Sequence, residues 1–433
     1  MIIDYQSQLD YFRGRKVFLY PVLEDSRLHM VANKIIAFVL VDVENKQTYS
    51  ISKEHPDGIY HHSNLDFLEE STVYCYDIAF FKQEGYDTTK FIDVQFQYYL
   101  KTNQACNFET PQILKHYARY FPKCEKSGVL VSLQKHEEIA FNLFREVFVE
   151  ELQSGLAFYQ SKLLNVFTAI EKNGLKIDEK SFTERFGETF SKRKDFCYTH
   201  YNFYTTTGRP SNRFGGINFA ALNKEDDTRE CFISRYGEDG TLVEIDFNSY
   251  HPRLIAAMLE YDFNGENVYE HLAKHFNQTQ TPTQEQIGEA KELTFRQLYG
   301  GVQKQYMHVP FLNATNSLAY LLWKEANETG YIQSPISERK LILSNYQDIN
   351  CYTLFNYYIQ MFETETNVLI LEKLLEQLVE RKCLPILYTY DSILFDVHKT
   401  EIDYLLQHVL PTVIDQKQFP IKTKTGVNYR VLK

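Results

Sequence analysis

The chain lacks an excess of positive charge. Its 433 residues carry 46 Lys and Arg against 57 Asp and Glu, a formal net charge of −11. Attachment to nucleic acid by overall charge is excluded, although a locally basic cleft can sit on an acidic body. Metal-ligand cysteine spacing is also missing. The seven cysteines, Cys75, Cys106, Cys124, Cys197, Cys231, Cys351 and Cys383, are scattered and odd in number. None forms a CxxC or a Cys/His pair at zinc spacing, so a disulfide framework and a zinc module fall away. Reduced cytoplasmic thiols are expected. No apolar run reaches the roughly 18 residues of a membrane span, and the N-terminus does not read as a signal peptide. No membrane partner is expected. Internal repeats are absent. The one low-complexity piece, 277–286, is polar and Gln/Thr-rich and reads as a loop.

Aromatic residues are abundant, with 32 Tyr and 32 Phe. They suit large cores and base-stacking surfaces alike. The length implies two or three domains. The most informative stretch is Lys291–Gly300, where Lys291, Phe295 and Tyr299 stand at i, i+4 and i+8, one face of a helix. A core helix with a snorkelling lysine would read the same. So would a face that holds a phosphate chain beside a base. Two aspartates favour the second reading. Leu242–Ile245 reads as a strand with Asp246 at its end, and Pro252 suits the first turn of a helix. Pro385–Tyr388 and Ile393–Phe395 read as a hairpin with Asp391 at its tip. Two carboxylates at neighbouring strand ends are what a pair of hard cations needs.

In order and identity these motifs resemble the polymerase module of family A DNA polymerases, the bacterial polymerase I type. Thr207-Gly208-Arg209 resembles the TGR segment that contacts primer-template, with Asn218 in the segment after it. Glu244–Leu254 resembles motif A, and Lys291, Phe295, Tyr299 and Gly300 fit motif B, KxxxFxxxYG. Gly330-Tyr331-Ile332 with Arg339, a helix start at Tyr357–Gln360, motif C at Thr389–Phe395 and a closing strand at Gly426–Tyr429 follow in the family's order. Leu163–Asp178 resembles the joint between exonuclease and polymerase modules. The resemblance implies extension of a DNA primer by deoxynucleoside triphosphates (dNTPs), directed by a template. It implies two Mg2+ ions on Asp246, Asp391 and the Phe247 carbonyl. It implies nucleotide contacts from Lys291, Phe295, Tyr299 and His251, and DNA contacts from Arg209, Asn218, Arg253, Arg339 and Gln360.

The chain also departs from that pattern. Ser392 stands where motif C has Glu, Ile287 where an arginine meets the triphosphate, and Met361 where a glycine follows Gln360. His251 replaces a Glu that packs against the incoming sugar, so a bulky gate is still expected there. Only 28 residues, 179–206, separate Asp178 from Thr207. That leaves room for one helix, roughly Glu179 to Thr199, where the family has a long thumb, and it implies a processivity partner. Three basic patches, Lys192-Arg193-Lys194, Arg339-Lys340 and Lys422, Lys424, Arg430, Lys433, read equally as DNA contacts and as solvated faces. In the N-terminal third, strands at Val17–Tyr20, Ile35–Val43, Thr48–Ile51 and Val73–Ile78, then Phe91–Val94, resemble a ribonuclease-H-like 3′–5′ exonuclease domain. Its first strand should carry an acidic pair. Leu19-Tyr20-Pro21-Val22 stands there instead, with Glu24 and Asp25 beyond it; Asp77 and Asp93 fit later motifs. An inactive scaffold without proofreading is expected.

The expected fold is thus mixed α/β. A ribonuclease-H-like domain (1–150) precedes connecting helices and a minimal thumb (151–205), then a palm with an antiparallel sheet and helical fingers (206–433). The economy of the build fits a phage or mobile-element protein in a bacterial cytoplasm. Two other functions stay open. One is a ribonucleotide-tolerant or primase-like polymerase, for which His251 is the opening. The other is a non-catalytic DNA-binding replisome scaffold, for which the missing thumb and arginine argue.

Overall fold

The computed structural model describes residues 1–24, 29–104, 131–187, 192–212, 217–223 and 226–432. Asp25, Cys106, Cys124 and Lys433 lie outside the described residues. The chain divides into two compact units, Met1–Thr168 with Thr189–Arg193, and Ala169–Glu188 with Lys194–Lys433.

The first unit is built on five strands, β1 (Lys16–Leu23), β2 (Ile35–Asp42), β3 (Thr48–Ser52), β4 (Thr72–Cys75) and β5 (Phe91–Asp93), in the order β3-β2-β1-β4-β5. β1, β2 and β3 pair antiparallel, whereas β4 lies parallel to β1 and β5 parallel to β4. Every residue of β2 is buried, as the unbroken apolar run Ile35–Val41 requires of a strand covered on both faces. The helix Leu133–Val147 starts at Ser132, whose hydroxyl accepts from Lys135 N. It lays Leu133, Ala140, Leu143, Phe144 and Val147 against Phe18, Val22, Val39 and Val41. The strand expected over Val73–Ile78 stops at Cys75. Asp77 adopts a left-handed φ of +57° and a helix, Ile78–Gln83, begins directly after it.

The second unit holds a four-stranded antiparallel sheet of β6 (Gly240–Phe247), β7 (Cys383–Thr389), β8 (Ser392–His398) and β9 (Ile421–Gly426), in the order β7-β8-β6-β9. Helices α1 (Tyr250–Met258), α2 (Val268–Phe276), α3 (Gln284–Gly300), α4 (Pro310–Thr329) and α5 (Cys351–Gln377) share one core, in which Leu272, Leu298, Phe311, Leu312, Phe355 and Ile359 are buried. A second core joins Leu175, Ile177, Phe182, Phe219 and Phe232 to Leu242, Leu387 and Leu394 of the sheet. α3 starts at a cap: the Thr283 side chain accepts from Gln286 N and the Gln286 side chain returns to the Thr283 backbone.

Three expectations are corrected. The helix expected from Glu179 to Thr199 ends at Phe186, because Gly187 takes a φ of +65°; Phe196–Cys197 instead pairs antiparallel with Leu175–Ile177. α5 begins at Cys351 rather than at Tyr357, because the Asn350 side chain caps Tyr352 N and Thr353 N. The closing strand ends at Gly426, and the chain folds back so closely that a Cβ there would lie 2.6 Å from Val431 O; Tyr429 N donates to Phe232 O at 3.0 Å. Among the described residues no helix is long and apolar enough to cross a membrane.

Candidate active site

Asp246 is the seventh residue of β6 and pairs with Ser392 of β8 on one side and Lys422 of β9 on the other. Asp391 is the tip of the β7–β8 hairpin. Phe247 N donates to Asp391 O at 3.0 Å, which ties the two strand ends together. Asp391 is open at its outer surface. Even so, partial burial first, and the Asp246 charge second, push its pKa above the usual carboxylate range. Among the described residues no Lys, Arg or His forms an ion pair with either carboxylate.

The hairpin tip is held against its own strain. Tyr390 has a left-handed φ of +61°, an uncommon conformation for an aromatic residue. Asn367 of α5 donates to Tyr390 O at 3.0 Å and to the Tyr388 hydroxyl at 2.9 Å, and accepts from the Tyr250 hydroxyl at 2.6 Å. Thr389 Oγ1 and Ser392 Oγ lie 2.6 Å apart across the turn. Arg209 rests on the Tyr390 ring, 3.9 Å from its centroid.

α3 presents the motif residues on its open side. Ala290, Thr294 and Leu298 are buried, while Lys291 and Tyr299 are exposed and Phe295 is half-buried. Phe295 and Tyr299 stack, centroids 5.8 Å apart and planes 17° from parallel. The core-helix reading of this spacing does not describe it, since the buried stripe lies one residue away. α2 adds a residue that no motif names. The Tyr269 ring lies 5.9 Å from Lys291 Nζ and 6.3 Å from the Phe295 ring. Burial raises its pKa, against a hydrogen bond with Ser249, and the Asp391 charge adds to the rise.

His251, on α1, is 9% exposed and so nearly out of solvent. Its Nδ1 meets the Tyr299 hydroxyl, and its Nε2 lies 3.1 Å from Glu363 Oε1 on α5. Arg209 reaches the same carboxylate, Nη2 to Oε1 at 3.2 Å and Nε to Oε2 at 2.9 Å. Burial alone would raise the Glu363 pKa; His251 and Arg209 outweigh it and hold the carboxyl below its usual value.

The expected DNA contacts divide. Arg209 and Gln360 come together, since Thr207 Oγ1 donates to Gln360 Oε1 at 3.2 Å. Asn218 is exposed at the start of a short 3-10 turn. Arg253 donates to Gln418 O at 3.3 Å, and burial lowers its pKa. Arg339 is 0% exposed and donates to Thr206 O at 3.0 Å. It supports the Thr207–Arg209 loop from inside the protein, which takes it out of the Arg339-Lys340 surface patch. Sequence reasoning missed Glu363, Tyr269 and Asn367. Glu363 alone had a signal: an acidic residue amid the apolar positions of a long helix must find partners if buried.

No known family and no curated protein matches the sequence. Solved structures do match. One is the polymerase domain of Pol1 from M. smegmatis, in complex with DNA primer-template and dNTP. It superposes with a TM-score of 0.68 at 12% identity and covers 99% of this chain and 99% of its own. The chain is mixed α/β with antiparallel sheets, and its fold is that of a polymerase domain.

Proposed function

We propose that this chain is a DNA polymerase that extends a primer with dNTPs by two-metal phosphoryl transfer. One observation carries the reading: two aspartates that form no ion pair among the described residues meet at adjacent strand ends beside an open Lys/Phe/Tyr helix face, in a fold shared with a polymerase domain. The donor set fits magnesium. Two adjacent carboxylates, with the Asp246 charge adding to the proton affinity of Asp391, form a concentrated negative charge with hard oxygen ligands. Asp246 and Asp391, with the Phe247 carbonyl, would hold two Mg2+ ions, which when bound lower the cost of the charge that develops on the reacting oxygens.

The chain's own residues do the positioning. The Lys291 ammonium faces the triphosphate. Phe295, stacked on Tyr299 and backed by Tyr269, gives the new base a flat surface. His251 borders the sugar, and Arg209 with Gln360 meets the end of the primer. In the first unit, the order β3-β2-β1-β4-β5, three antiparallel strands and then two parallel ones, supports a ribonuclease-H-like reading. β1 carries no acidic residue. Asp93 is committed as a helix cap: it accepts from Gln95 N, Phe96 N and Ile78 N. We read this unit as a scaffold without proofreading.

Primer extension by the intact chain with Mg2+ and dNTPs tests the reading. Asp246→Ala and Asp391→Ala should each abolish extension while primer-template binding persists. Retention of more than about a tenth of the wild-type rate by either variant would remove the assignment, because loss of a metal ligand costs far more. Shortening of a mismatched primer, blocked by Asp77→Ala or Asp93→Ala, would overturn the reading of the first unit.

A further inference from the structure

Glu363 is a fully buried carboxylate on α5, where α1 and the Thr207–Arg209 loop meet that helix. Two groups that can carry positive charge converge on it, Arg209 from the Thr207–Arg209 loop and His251 from α1. A buried charge is tolerated only when paired in this way. The second His251 nitrogen is engaged by Tyr299, so both sides of the imidazole are held. That fixes the rotation of the ring as well as its place. Arg209 continues from Glu363 to the Tyr390 ring, one residue before Asp391.

We propose that Glu363 is the positioning residue of the nucleotide pocket. It braces His251 on the sugar side and Arg209 on the primer side, so that selection of deoxyribose over ribose depends on Glu363 as well as on the bulk of His251. The proposal rests on the polymerase reading. A single ring excludes a 2′-hydroxyl only while it cannot swing aside; a small displacement makes room for one oxygen atom. Gln at 363 keeps the volume and a hydrogen-bonding carbonyl but removes the charge that draws both partners inward. His251 then loses one of its two anchors, and Arg209 loses its ion pair.

The test is single-nucleotide extension by the intact Glu363→Gln chain, with a dNTP and the matching ribonucleotide. The ratio of ribonucleotide to deoxyribonucleotide kcat/KM should rise about tenfold, chiefly through a lower ribonucleotide KM, and the KM for primer-template should rise with it. His251→Ala should raise the same ratio, and the double variant should add little to it, because both changes release one brace. Glu365→Gln is the structural control. Glu365 lies two residues along α5, equally buried, and bonds Ser334 and Ser337 rather than His251 or Arg209. That variant should lose stability and keep the sugar ratio. If Glu363→Gln does not fold, Glu363→Asp, which keeps the charge on a shorter stem, should give a smaller rise. An unchanged ratio in the variant that folds, an equal rise in Glu365→Gln, or full additivity with His251→Ala overturns the proposal and leaves the polymerase reading standing. A wild-type chain that does not extend primers overturns both.

Discussion

Tyr390 turns the β7–β8 hairpin through a left-handed conformation, and that conformation sets the position of Asp391. Strain of this kind persists only where its surroundings over-determine it. Asn367 supplies much of the restraint, with one amide serving Tyr390 O, the Tyr388 hydroxyl and the Tyr250 hydroxyl. Asn367→Ala should therefore lower kcat roughly tenfold or more, because small misplacement of a reacting group is expensive. It should cost about 1–3 kcal/mol of stability through the buried groups it strands. Single-turnover rates and denaturant melts read the two effects; an unchanged rate would show that the tip holds without Asn367. Lys291→Ala belongs to the same scale. On the proposed reading its ammonium would face charge that grows on the leaving pyrophosphate, so the variant should raise the dNTP KM and also lower kcat. A change in KM alone would mean that Lys291 binds substrate and nothing more. The positions of Asp246 at a strand end, Asp391 at a hairpin tip and Lys291 on a helix were legible in the sequence because strand ends, tight turns and helix spacing are local. The burial of Arg339 and the convergence on Glu363 were not, because each joins segments more than a hundred residues apart.

At the scale of elements, sequence signals worked where a capping residue or a breaker marks a boundary. Thr283 with Gln286 set the start of α3, and Asn173-Gly174 ended the helix before Leu175–Ile177. They failed over Glu179–Thr199, where no proline interrupts the run and the positive φ of Gly187 shows only in the folded chain. The Leu133–Val147 helix supplies a pH prediction. His136, on its inner face, is 4% exposed. Burial first, then the neighbouring His55, lower its pKa to about 3, with Asp57 pulling the other way. The unfolded value is near 6.5. The folded state thus binds fewer protons than the unfolded state between these values, and stability falls as pH drops through that window. At pH 4.5 the loss from His136 is on the order of 2–3 kcal/mol. Amide protection along Leu133–Val147 in the intact chain, taken relative to the intrinsic exchange rate at each pH, should fall on acidification, and His136→Phe should flatten the response. An identical acid response in that variant would assign the effect to other groups.

At the scale of the whole molecule, a net charge of −11 and a short 179–206 segment would limit how the proposed polymerase holds DNA. Among the described residues of that segment the one helix is Glu179–Phe186, eight residues long and carrying two acidic and two basic side chains. It offers no basic face to a duplex. Candidate phosphate-binding groups in the second unit are instead dispersed, with Lys422 exposed on edge strand β9 and Lys424 beside it already 3.8 Å from Glu244. Few cations at the duplex mean weak retention, and salt weakens it further as counterions compete for the phosphates. The isolated chain should therefore add only a few nucleotides per binding event, and primer-template affinity should fall steeply from low to physiological salt. A partner that supplies grip, such as a clamp, a single-strand-binding protein or a second copy, should lengthen the products without altering the single-turnover rate, because it would act on dissociation and not on Asp246 or Asp391. Product length under a trap for released enzyme, with and without added partner, separates these effects. Long products from the isolated chain at physiological salt would show that the palm-like sheet and the helices packed on it hold the duplex without a thumb.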